Sequence, residues 1–141
     1  MDILSPAPLS DDVKCQLRQL WQLEAYVYER LQQLSARCAG GLRPEVTRAF
    51  VRCLELGGLL MQQQLELPLP AERSFALQAW TSEARHLGGL AQLLAERYER
   101  LAREPSARGA LARLARQNAR CVQQLPAQLG PPEAGALRRC A

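Results

Sequence analysis

Isoleucine occurs once in the 141 residues, at Ile3, and valine five times. That shortage of β-branched residues, with few aromatics and 26 leucines, excludes a sheet-dominated fold and favours helix. Histidine also occurs once, at His86, and no two cysteines stand close together. A histidine-based catalytic triad or a zinc site therefore lacks a ligand set. No G-x-G-x-x-G, Walker, H-E-x-x-H or G-x-S-x-G pattern is present. The expectation is a protein that is not an enzyme and needs no cofactor or metal. The first residues, MDILSPAPLSDD, offer two prolines and three aspartates where an export signal needs a basic start and an apolar run. No apolar stretch approaches the ~20 residues of a membrane span. An intracellular location, cytoplasmic and/or nuclear, follows as an expectation. The five cysteines, Cys15, Cys38, Cys53, Cys121 and Cys140, are odd in number and scattered, which argues against a disulfide framework. Cys38, Cys53 and Cys121 fall on apolar stripes, where a free thiol acts as a small hydrophobe.

What is present is helical periodicity with clear punctuation. Ser10 suits an N-cap, and Asp11 and Asp12 suit the positive end of a helix dipole. The series Val13, Leu17, Leu20, Glu24, Val27, Leu31, Leu34, Cys38 alternates steps of four and three, a heptad seam. Gly40 and Gly41 then supply a left-handed stop. Pro44 opens a second helix, with a seam read as Val46, Phe50, Cys53, Gly57, Leu60, Gln64 and Leu67 and a second apolar edge of Leu54, Met61 and Leu65. The prolines of LPLP, residues 67–70, break it. Leu77, Trp80, Ala84, Leu87, Ala91, Leu94, Tyr98 and Leu101 mark a third helix, halted at Pro105, with Ser106 placed to cap the next. The fourth carries Leu111, Leu114, Asn118, Cys121 and Leu125 and closes at Pro126.

Helices of about 11–39, 44–67, 71–104 and 107–125 make one bundle domain over 10–126. A flexible segment over 1–9 precedes it, and a flexible Pro/Gly/Ala-rich tail over 127–141 follows. The short connections predict an all-α fold, an antiparallel up-and-down bundle of about four amphipathic helices with coiled-coil-like seams. The tetrapeptide Leu-Gly-Gly-Leu occurs twice inside these helices, at 56–59 and 87–90. A mid-helix glycine costs about 1 kcal/mol relative to alanine. Gly57, Gly58, Gly88 and Gly89 are therefore candidates for close helix packing, across a hairpin of helices two and three.

Three features bear on function. Seventeen of the 18 basic residues are arginine, and the half after residue 70 carries the excess positive charge. Arg113, Arg116 and Arg120 share one face of the fourth helix, a stripe suited to carboxylates on a protein or to phosphates. Polar residues stand in the seams: Gln64 and Asn118 as register-setting residues or at the bundle rim, and Glu24 as a buried acid, a bundle-edge carboxylate or one paired with an arginine of a neighbouring helix. Helix one has more apolar surface than a core-facing stripe of roughly 100° requires, which points to coverage by another chain. The expectation is a protein–protein interaction protein: a small helical subunit or adaptor of a heteromeric complex, binding other helical proteins. Trp21, Tyr28 and Trp80 are the anchors indicated by residue type, with Arg113, Arg116 and Arg120 for specificity. The alternatives are nucleic-acid or anionic-membrane binding through the arginine stripe, and a secreted four-helix cytokine-like protein.

Overall fold

The structure, a computed structural model, describes residues 9–37, 41–67, 80–107 and 109–129, without the side chains of Trp80 and Thr81. Nearly all of the expected flexible ends, and residues 71–79 of the expected third helix, lie outside the described residues. The elements are α1 (Asp11–Arg37), α2 (Arg43–Gln62), α3 (Trp80–Ala102), α4 (Ala110–Gln123) and the single turn α5 (Leu125–Leu129).

α1 starts where its cap predicts, with the Val13 N–H donating to Ser10 Oγ at 3.2 Å. Its seam from Val13 to Leu34 is buried throughout, Glu24 included. α2 stops five residues short of the expected end. Gln64 takes a left-handed φ of 58°, the Gln64 N–H donates to Met61 O at 3.0 Å, and the Leu65 N–H donates to Leu60 O at 2.9 Å. Those bonds satisfy carbonyls at the helix end, so Gln64 is a terminating residue and not a seam residue. α4 also begins later than expected. Gly109 stands at its N-cap with φ 60° and ψ −121°, a conformation that L side chains rarely adopt. Ser106, expected to cap it, instead shares a 3.1 Å hydrogen bond with the Ser10 hydroxyl. Pro126 does not close α4. It lies in the first turn of α5, where its missing N–H has no intrahelical partner to lose.

The expected all-α helical bundle is what the chain forms, though its helices do not run in up-and-down order. α1 packs on α2 and on α3, and α3 packs on α4 and α5. Between α1 and α3, Gln16 bonds Glu104, Arg97 bonds Gln19, Tyr26 bonds His86 and Arg30 bonds Glu83. The numbers rise on one helix as they fall on the other. α1 and α2 are likewise antiparallel, with Trp21 against Gly57 and the Tyr28 ring 5.5 Å from Phe50. The directions along the chain therefore read up, down, down, up. α2 and α3 are parallel and do not form the expected hairpin: Gln62 and Trp80 lie at opposite ends of the bundle.

Burial corrects the reading of α2. Its buried residues are Glu45, Ala49, Arg52, Leu56, Gly57 and Leu60, with Leu42 just before the helix. Gly57 and Leu60 belong to the expected seam, but the stripe through Glu45, Ala49 and Arg52 lies one residue off it, a rotation of about 100°. Val46 and Cys53 fall at the edge, and Phe50 faces water. Leu111, Asn118 and Leu125 of the expected fourth stripe are buried, together with Ala112, Ala115, Ala119 and Val122, while Leu114 and Cys121 are half-buried. Alanines from α3 (Ala91, Ala95) and α4 meet in this part of the core, where small side chains let helices approach closely.

Candidate functional site

Each of the four long helices contributes a polar group to the centre of the bundle. Glu24 of α1 is fully buried, and its Oε2 accepts from Arg52 Nε of α2 at 2.5 Å and from the Tyr98 hydroxyl of α3 at 2.6 Å. Arg52 Nη1 also donates to Cys121 Sγ of α4 at 3.3 Å. Asn118, buried on α4, lies beside Tyr98. Glu24 Oε1 and Asn118 Nδ2 are buried without a hydrogen-bond partner among the described residues.

The electrostatics follow from burial. Loss of water raises the Glu24 carboxyl above its ordinary value, against the pull of Arg52 and the Tyr98 hydrogen bond. Burial alone would lower the Arg52 guanidinium, but the adjacent Glu24 charge holds it above its ordinary value. Tyr98 is raised well above its usual range by burial and then by Glu24. Burial also pushes the neighbouring Cys53 thiol up to about 12. A paired, mostly satisfied buried cluster of this kind fixes which helices meet and in what register. A second buried pair, Arg30–Glu83 at 2.5 Å, joins α1 to α3.

The outer face of α2 is apolar and open. Phe50 is 45% exposed, Val51 46%, Leu54 58% and Met61 67%. These are four of the six large hydrophobic residues exposed among the described residues, and Leu67, just beyond the helix, is a fifth.

The residues singled out from sequence do not form one site: Trp21 meets Gly57, and the three arginines of α4 stand apart from both. Trp21 is half-buried between α1 and α2, its indole Nε1 3.4 Å from where a Gly57 Cβ would stand. Tyr28 is half-buried at the edge of the α2 face against Phe50. The surplus apolar surface of helix one is consumed inside the molecule, because α1 is central and touches two helices. The Trp80 side chain is outside the description. Arg113, Arg116 and Arg120 are exposed together on α4. His86 is exposed and bonds the Tyr26 hydroxyl at 3.0 Å. Of the four glycines, Gly57 has a neighbouring helix pressed against it. A Cβ at Gly58, Gly88 or Gly89 would meet no atom within 4 Å. Gly58 and Gly89 face outward, and Gly88 lines an open groove of about 520 Å³ with Ala91, Ala95 and Pro126.

Sequence reasoning missed Arg52 and the exposure of the α2 face. A signal for Arg52 existed: Arg52 falls in step with Leu42, Ala49, Leu56 and Leu60, and a buried-seam glutamate on helix one required a cation. Among the described residues no group of three His, Cys, Asp or Glu side chains is placed to hold a metal. Among the same residues no helix is long and apolar enough to cross a membrane. Compared with protein-family models, curated proteins and solved structures, the chain matches none.

Proposed function

We propose that this protein is a non-enzymatic interaction protein, a small helical subunit or adaptor of a heteromeric intracellular complex, cytoplasmic and/or nuclear. The observation that carries the reading is the outer face of α2. Val51, Leu54 and Met61 are each about half exposed or more, on a helix whose opposite face is already committed to the core. A contiguous apolar helix face opposite the core marks a surface that another chain covers. Phe50, backed by Tyr28, adds a rigid aromatic edge suited to an anchoring role. The test is affinity purification of the full chain beside a Leu54→Asp/Met61→Asp variant of unchanged melting temperature. A stoichiometric companion held by the wild type and lost from the variant supports the reading. Absence of any such companion, or equal recovery by both chains, overturns it.

A second reading rests on Arg113, Arg116 and Arg120, which present three cations on one exposed face. It assigns α4 to nucleic acid or an anionic membrane surface. Such binding weakens steeply with added salt, whereas an apolar interface is nearly indifferent.

A further inference from the structure

Thr47, Val51, Leu54, Gly58 and Met61 follow one another at steps of four, three, four and three, the spacing of a coiled-coil seam. All five are exposed, on the side of α2 turned away from the core. The seam has a notch in its middle, since nothing lies within 4 Å of where a Gly58 Cβ would be. Along one flank run Arg48, Glu55 and Gln62. Arg48 is engaged by Glu45 one turn back. Glu55 is half-buried beside the seam.

A second copy of the chain fits this seam poorly in either direction. In an antiparallel pair, Leu54 would fill the notch at Gly58 of the second copy, and Val51 would meet Met61. The same register places Glu55 against Glu55 across the two-fold axis, and like charges at flanking positions oppose pairing. In a parallel pair the two Gly58 notches fall in one layer and leave a void between Leu54 and Met61 layers, which forfeits packing. A different helix escapes both problems if it brings a large side chain to the notch and a cation to the flank.

We infer that α2 receives a basic amphipathic helix of another protein, with a large aliphatic or aromatic residue seated on Gly58 and lysine or arginine beside Glu55. This rests on the outer face of α2 being the docking surface. The chain carries a net charge of +4, so long-range attraction favours an acidic partner, and a preference for a basic one reports the local carboxylate.

The test uses two designed helical peptides of about three heptads. Both carry leucine along the seam and a central phenylalanine; the flanks are lysine in one and glutamate in the other. Binding to the full chain is read by fluorescence anisotropy, and self-association by sedimentation. The lysine peptide should bind about fivefold more tightly than the glutamate peptide, Glu55→Lys should reverse that order, and Gly58→Leu should weaken both about tenfold or more. Equal binding, a preference for the glutamate peptide, or indifference to Gly58→Leu overturns the inference while leaving α2 as a docking face. A stable dimer of the chain that Leu54→Asp dissociates assigns the face to a second copy and overturns it as well. Binding of neither peptide overturns both the inference and the docking reading beneath it.

Discussion

Glu24 and Arg52 meet 2.5 Å apart at the centre of the bundle, the carboxylate wholly out of water and the guanidinium nearly so. Removing one partner leaves the other as an uncompensated buried charge, which costs about 3–5 kcal/mol. Glu24→Leu and Arg52→Met should each lower the urea midpoint strongly. The double variant should recover most of the loss, because two apolar groups replace a pair whose attraction was offset by desolvation. Additive losses in the double-variant cycle would show that the two residues act independently.

The pH response carries a definite sign. Cys53 has an ordinary value of 9.0 and is raised to about 12 by burial, so the folded chain keeps its thiol proton where the unfolded chain has released it. The stability this supplies is complete below about pH 9 and is lost as pH rises toward about 12. Tyr98, raised by burial and Glu24, acts in the same direction at the alkaline end. Cys53→Ala should flatten the alkaline fall in melting temperature. Superimposable pH profiles for the variant and the wild type would contradict this. At pH 8, a thiol reagent should modify exposed Cys15 well before Cys53.

The glycines separate by environment. Gly89→Ala meets open space and should stabilise the chain by up to about 1 kcal/mol through helix propensity. Gly57→Leu drives a side chain into Trp21 and should destabilise it by about 1–3 kcal/mol. Gly109→Ala should also destabilise it, because φ is 60° there. Thermal melts of the three variants check the order; a stabilised Gly57→Leu would mean that the indole moves aside freely.

Leu87 and Leu94 are fully buried on α3, and replacing both with aspartate should unfold the bundle. Arg113→Glu/Arg116→Glu, on an exposed face, should change stability by no more than about 0.5 kcal/mol. Circular dichroism melts distinguish the two; cooperative folding of the aspartate variant would remove α3 from the core.

α1 and most of α3 were legible because the residues at their seam positions are apolar, Glu24 excepted. Spacings of three and four therefore located the buried face from Val13 to Leu34 and from Leu87 to Leu101. α2 was not legible by the same rule. The rule assigns arginine to water, and with Arg52 placed outside, the stripe through Val46, Phe50 and Cys53 is the natural choice. Helix ends were legible where a side chain makes the cap, as at Ser10. They were missed where backbone conformation does so, as at Gln64 and Gly109.

Leucine content, caps and periodicity by themselves determined that the chain is a helical bundle and which faces of α1 and α3 turn inward, because those depend on contacts within a turn or two. Only the tertiary structure decided the rotation of α2, the parallel course of α2 and α3, and the open seam from Val51 to Met61. Those follow from Glu24 finding Arg52 and from Arg30 finding Glu83, partners 28 and 53 residues apart, and a long-range pair is visible only when the helices are already side by side.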